Sequence, residues 1–380
     1  MMKPKDRILD GVGLMAGMII GAGFFVLPFA VAQAGWFWGL FHFFIAFIIV
    51  TLVHVLYGEA IYSIEGRHRL PGYARITLGK SAANLASFAT IFGFFGFLLA
   101  YGLLAGIFLN KFLPGVSVEA ITIIFFLVAP LLLLLNIREI GYVSFLLTIP
   151  LVAFVLILAW IAFPEINFNN FVFANNANWF LPYGIFLFAM GGASVIPEVA
   201  EVFRKREGRK FELVLIFGTL LPAVLYALFA FVVVGVSGPS TTADAITGLE
   251  GFFGRPVILL GAAIGAIAVL TSYISLGIDL KNLLHLDHKF GNRRAWLVVS
   301  VVPLLLYLFG ATSLIDIIGV VGSITVGVEG IIILMLAQYV RRHHYHPRGF
   351  MPIGNFIPKI LIVFFIIGII WQIGTAMGLV

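Results

Sequence analysis

The sequence predicts an all-α membrane protein of eleven transmembrane helices: two inverted repeats of five, with helices 1 and 6 broken, and a peripheral eleventh helix. Three observations carry this prediction. The chain is 62% hydrophobic and only 11% charged, whereas soluble domains run at roughly 25% charged. Its apolar runs reach the length of about 20 residues that a bilayer crossing needs. The first and sixth of those runs are interrupted by glycines and a proline in matching order.

In chain order the spans cover residues 8–34, 37–63, 82–110, 118–136, 140–163, 179–203, 211–236, 256–284, 295–309, 313–340 and 357–379. Residues 1–380 read as one transmembrane domain, with repeats at 8–163 and 179–340 and the extra helix at 357–379. The run at 295–309 is the shortest, yet topology requires it. Lys and Arg resist translocation and collect on the cytoplasmic side; with the amino terminus inside, only Lys111 and Arg255 of the 23 fall outside. Omitting one span would place the later basic loops outside. A multi-pass protein of the cytoplasmic (inner) membrane follows, amino terminus inside and carboxyl terminus outside. The net charge of +6 then reflects topology and implies no nucleic-acid partner.

The absence of cysteine excludes disulfides, thiolate metal sites and cysteine nucleophiles. The apolar run after Met-Met-Lys-Pro-Lys continues far past the core of a cleavable signal. The sizeable outer loops, 164–178 (rich in Asn) and 237–255, are candidate lids. The inner loop 66–80 mixes Arg67, Arg69 and Arg75 with Leu70, Tyr73, Ile76 and Leu78, which suits an interfacial helix as well as a plain loop.

The first interruption is Gly21-Ala22-Gly23-Phe24-Phe25-Val26-Leu27-Pro28. Glycine in a helix interior costs roughly 1 kcal/mol and proline about 3 kcal/mol relative to alanine, so the helix is predicted to unwind there. Met190-Gly191-Gly192-Ala193-Ser194-Val195-Ile196-Pro197 repeats the pattern without a gap: Gly192 precedes Pro197 as Gly23 precedes Pro28. Lipid cannot satisfy freed backbone groups, so such breaks persist only where they line a cavity or bind something polar. Paired breaks in opposed halves point to a substrate site near mid-membrane. Free N–H groups of Ala22 and Gly23 suit a carboxylate, carbonyls near Phe188 and Ala189 suit an ammonium, and carbonyls of Gly17 and Ile20 suit a small cation. An amino acid fits the first two. The substrate-binding set is then Ala22 and Gly23 with Phe186, Phe188, Ala189, Gly191, Gly192 and Ser194. Close helix packing through small residues is the competing explanation, and two aligned copies argue against it.

Residues 21–30, followed by Gln33-Ala34-Gly35-Trp36, resemble the first-helix signature of the amino acid/auxin permeases and the related aromatic amino acid permeases of the amino acid-polyamine-organocation superfamily. Phe186-Leu187-Phe188-Ala189-Met190-Gly191-Gly192 and Ile196-Pro197-Glu198 resemble the sixth helix of that group. The resemblance implies the leucine-transporter fold and secondary amino acid transport, with no enzymatic activity and no cofactor beyond a coupling ion. It also implies a sodium ion between spans 1 and 8, held by carbonyls of Gly17, Ile20 and Ala268 and hydroxyls of Thr271 and Ser272. Relatives that hold a second sodium have Asn directly after the first-helix glycine. Here that residue is Phe24.

Ionisable residues inside spans point to function, and Glu59, Glu198, Asp279 and Glu329 stand out. Ser272, Ser275 and Asp279 share one face of span 8 and form a polar stripe descending to the inner side. Asp279 is expected to pair with Arg7 as a gate or to relay protons; Glu329 is the other candidate should the coupling ion be a proton. His42 and His54 are read as hydrogen-bonded packing residues. Small residues at Ala189, Gly191 and Gly192 leave room for a large neutral or aromatic side chain, opposite residues of span 3 between Phe92 and Phe97. A sensor that binds an amino acid on the same fold is the main rival. No paired catalytic carboxylates, metal cluster or nucleophile constellation stands out for an enzyme, and no phosphate loop for an ATP-driven pump.

Overall fold

The computed structural model describes residues 4–66, 68–134, 140–203, 207–343 and 350–379; among the predicted basic positions, Lys3, Arg67, Arg138, Arg204, Lys205, Arg206 and Arg348 lie outside them. Among the described residues, each of the eleven predicted spans is helical. In order, the helices are α1 (Pro4–Ile19), α2 (Leu27–Ala34), α3 (Trp36–Ser63), α4 (Leu70–Thr77), α5 (Lys80–Asn110), α6 (Val118–Val128), α7 (Ile140–Ala162), α8 (Leu181–Met190), α9 (Ile196–Val202), α10 (Gly208–Ser237), α11 (Glu250–Asn282), α12 (Asn292–Leu308), α13 (Leu314–Val321), α14 (Gly327–His343) and α15 (Ile357–Ala376). Span 1 is α1 with α2, span 6 is α8 with α9, and span 10 is α13 with α14. Helix α4 is the inner loop 66–80, where Leu70, Tyr73, Ala74 and Thr77 are buried. Counting the bent first pair as one, eight spans among the described residues are long and apolar enough to cross a membrane. Helices α6, α7 and α12 complete the eleven.

The two breaks are local copies of each other. Val26 and Val195 have φ/ψ of −86°/−16° and −86°/−14°, and Leu27 and Ile196, which start the second half-helices, −61°/−45° and −58°/−39°. A short 3₁₀ turn precedes each proline, Ala22–Val26 in one copy and Ala193–Val195 in the other. Proline belongs there because its missing N–H falls in the first helical turn, where no intrahelical acceptor exists. The copies differ in the bend: the halves of span 1 meet at 51°, whereas 181–202 is not bent beyond 40° and counts as one span.

Large apolar side chains such as Phe44, Phe88, Trp160, Phe217 and Ile367 cover the outside of the bundle, as a lipid-facing surface requires. Inside, α1 lies along α10, α5 crosses α11, and α14 sits between α3 and α15. Helix approach is closest between spans 6 and 10. A Cβ on Gly184 would collide with the Gly319 carbonyl, and one on Gly322 with the Gly184 carbonyl. Span 10 relaxes there into a π turn, Gly322–Val326, a widening that often marks functional sites. It precedes Glu329 by three residues.

Because Gly322 faces backbone that cannot move aside as a side-chain tip can, Gly322→Val is expected to cost at least the about 3 kcal/mol of a severely overpacked core position. Thermal melting of detergent-purified protein, followed by size-exclusion chromatography, checks this; a variant melting like wild type would contradict the close crossing.

Candidate functional site

The breaks lie at the blind end of a cavity of about 900 Å³. Gly21 and Gly23 of span 1, Gly191 and Gly192 of span 6 and Tyr101 of α5 line that end, and the cavity continues past Glu198, Asp279 and Asn282 to the face bearing the amino terminus. The opposite side is closed. Phe24 and Phe25 pack on each other with ring centroids 4.1 Å apart, and Phe229 and Phe108 cover them at 4.6 and 4.8 Å. Loop 164–178 is stitched over this cluster: Trp36 and Phe37 donate backbone N–H bonds to the Val172 and Phe173 carbonyls, and the Asn175 and Asn178 side-chain amides donate to the Gln33 carbonyl.

Each break packs on the end of the opposite half-helix. A Cβ on Gly23 would lie 2.8 Å from the Phe188 ring and 3.3 Å from the Ala189 Cα; one on Gly192 would lie 2.6 Å from Ile19 and 3.3 Å from Met15. The two glycines therefore do not face each other directly. Gly23 faces the end of α8 and Gly192 the end of α1, a reciprocal contact that follows from the inverted repeat. As the first residues of their 3₁₀ turn, Ala22 and Gly23 carry N–H groups with no intrahelical acceptor.

Of the predicted substrate set, Gly23, Phe188, Ala189, Gly191, Gly192 and Ser194 line the cavity. Ala22 is fully buried just behind the lining. Phe186 turns away, its ring 5.7 Å from that of Phe43 on α3, because it points to the opposite side of α8 from Gly191. On α5, Phe94 and Phe97 face the cavity, with Phe97 4.6 Å from Phe188, while Phe92 faces outward.

Of the proposed cation ligands, Gly17 and Ser272 line the cavity, and the Ser272 hydroxyl lies 3.6 Å from where a Gly21 Cβ would be. Ile20 lies beside the small apolar space between α1 and α7. Thr271 donates within its own helix, 3.0 Å from both the Ile267 and Ala268 carbonyls. Ser272, Ser275 and Asp279 all face the cavity, as their spacing along α11 requires.

The expected Arg7–Asp279 pair does not form. Arg7 reaches Glu207 at the start of α10, 3.2 Å away, because α1 lies along α10. Asp279 instead meets Arg69, which precedes α4, at 3.4 Å. Both partners are more than a third exposed, and exposed pairs contribute about 0–1 kcal/mol, so this bridge across the cavity mouth parts at little cost. Glu59 is half of a buried pair with Arg341 of α14, which also donates to the Ile353 carbonyl. It ties α3 to α14 and lies off the cavity. Glu329 faces the cavity and accepts from the Thr90 hydroxyl at 2.7 Å; among the described residues no cation pairs with it. His42 bonds the Trp38 carbonyl and His54 the Thr219 hydroxyl, both at 2.9 Å.

The residue that sequence reading missed is Tyr226 of α10, whose hydroxyl reaches a carbonyl of each break. One signal was available: a buried phenol in an apolar span usually finds a hydrogen-bond partner.

The profile of the tryptophan/tyrosine permease family matches residues 4–372. No curated protein matches. Among solved structures, the transporter MhsT in complex with L-phenylalanine superposes with a TM-score of 0.71 at 14% identity, over 94% of this chain and 98% of its own, which shows the leucine-transporter fold. A match over nearly the whole length, with both broken helices where the fold puts them, means that the chain is a permease of the tryptophan/tyrosine permease family.

Proposed function

We propose that this permease is an ion-coupled symporter that carries aromatic amino acids across the cytoplasmic membrane by alternating access, with its amino terminus inside. One observation carries the reading: both breaks converge at the blind end of a cavity that is open on one face and sealed by aromatic rings on the other. Given the charge distribution, the open face is the cytoplasmic one, and the chain stands in its inward-facing state. The substrate carboxylate lies on the Ala22 and Gly23 N–H groups, where the dipole of the second half-helix adds attraction. Its side chain enters the lobe between Phe94, Phe97 and Phe188. The L-phenylalanine bound to MhsT and the family's description support an aromatic substrate.

The coupling ion of this proposal is sodium, held between α1 and α11 by carbonyls of Gly17, Ile20 and Ala268 and hydroxyls of Thr271 and Ser272. Sodium's oxygen ligands are hard and few, and a closed site offers no water to replace a lost one. For the ion to bind, Thr271 keeps its proton on the Ile267 carbonyl and turns a lone pair to the site. Proton coupling is the second reading, and the observation favouring it is Glu329, a carboxylate that faces the cavity with a hydroxyl and, among the described residues, no cation beside it.

Gly23→Val would drive the Phe188 ring into the cavity and cover the carboxylate position. L-Tryptophan uptake into vesicles is expected to fall by at least ~10-fold, about 1.4 kcal/mol, with a smaller loss of folded protein; equal losses would mean that Gly23 serves packing alone.

A second comparison separates the ions. In vesicles with a sodium gradient alone, uptake is expected to proceed, and Thr271→Ala with Ser272→Ala should raise the sodium concentration for half-maximal uptake by roughly tenfold or more. Uptake driven by a pH gradient without sodium, abolished by Glu329→Gln, would replace sodium with the proton.

A further inference from the structure

Where the two breaks meet, a single atom reaches both. The Tyr226 hydroxyl of α10 donates to the carbonyl oxygen of Ile19, the last residue of α1, at 2.6 Å, and lies 3.2 Å from that of Ala189, in the last turn of α8. Both carbonyls lie in the last turn of a half-helix, where the usual i+4 donors are lost; the Ile19 oxygen also accepts from the Gly21 N–H at 2.8 Å. A phenol has one proton, so Ile19 receives it and Ala189 shares it. The ring has no freedom to leave: it is buried, stacked on Phe24 with centroids 6.1 Å apart and planes 11° apart. Phe24 in turn lies against Phe229.

Two carbonyl dipoles that converge in an apolar setting need a positive group between them. A metal ion, an ammonium or an O–H proton can supply it, and for an oxygen-lined point of this kind a small hard cation is the ordinary occupant. We propose that the Tyr226 hydroxyl is a built-in substitute for a monovalent cation at the junction of the two breaks. Its O–H dipole supplies the partial positive charge that the two carbonyls would otherwise draw from an ion, so this junction takes no ion during transport and the protein binds at most one cation, between α1 and α11. The same proton fixes the end of one repeat to the end of the other. Phe24 completes the substitution, since its ring occupies the space beside the junction where a further polar ligand for an ion would stand.

Tyr226→Phe tests this, because it keeps the ring on Phe24 and removes only the donor. The proposal rests on the transport reading only for its probe, L-tryptophan; melting of ligand-free protein needs no substrate. Purified wild type and variant are compared in sodium, lithium, potassium and N-methylglucamine salts. The variant is expected to show a cation response larger than that of wild type, which has only the site between α1 and α11, and each comparison is made with wild type in the same salt. In N-methylglucamine it should melt lower and bind L-tryptophan at least ~10-fold more weakly, about 1.4 kcal/mol, and high sodium or lithium should restore both. An unchanged variant, a loss that no cation restores, or tighter binding in every salt, as when the freed carbonyls take the substrate's ammonium, would overturn the proposal. Should the variant fail to fold, wild type alone decides it: co-transport of radioactive sodium and L-tryptophan should give no more than one ion per amino acid, and two ions per amino acid would overturn it.

Discussion

Backbone polarity inside a membrane is the constraint on which the rest of this structure depends. Each unsatisfied N–H or C=O in hydrocarbon costs several kcal/mol, and this chain unwinds twice within its helical bundle. It tolerates the breaks by setting them against each other, so that α1 ends on Gly192, α8 ends on Gly23, and the Tyr226 hydroxyl serves a carbonyl of each. Only glycine allows these approaches, because any Cβ would meet the opposite half-helix within about van der Waals contact or closer. The groups that remain open, chiefly the N–H groups at the start of the Ala22–Val26 turn, are those a substrate can satisfy. On the proposed function, the atoms that pose the stability problem are also those that bind the substrate.

Strong and weak contacts are divided in a way that suits a protein with two accessible faces. On the closed side, a packed cluster of phenylalanines and a loop held by backbone hydrogen bonds block the path. At the open mouth, the half-exposed Arg69–Asp279 bridge is a tie that water and salt screen. Away from the path, the buried Glu59–Arg341 pair and the glycine crossing of spans 6 and 10 hold helices together. A rearrangement that exchanges the two faces would break the weak tie and leave the strong ones within rigid groups of helices.

Much of this was legible in the sequence, for reasons that are local. Span length follows from apolar runs, and breaks follow from Gly23, Pro28, Gly192 and Pro197, whose backbone consequences need no partner. The polar stripe of Ser272, Ser275 and Asp279 follows from helical spacing. What could not be read depends on which distant residue arrives at a given place. Nothing in the spacing of Arg7 and Asp279 shows that α10 brings Glu207 to the first and that the segment before α4 brings Arg69 to the second. Phe186 belongs to the matched motif but lies on the far side of its helix turn. Tyr226 is one tyrosine in an apolar helix, and its role exists only because both breaks come to it.

The central claim is that the breaks form the floor of a cavity that alternates between faces. The chain has no cysteine, so a single Ser275→Cys, placed on the cavity wall one helical turn beyond Ser272, gives a direct readout with a membrane-impermeant thiol reagent. The account expects labelling from the amino-terminal face of ligand-free protein, and loss of that labelling when L-tryptophan and the coupling ion are added. Labelling that is the same with and without substrate and ion, or that comes from the opposite face alone in the ligand-free protein, would contradict it.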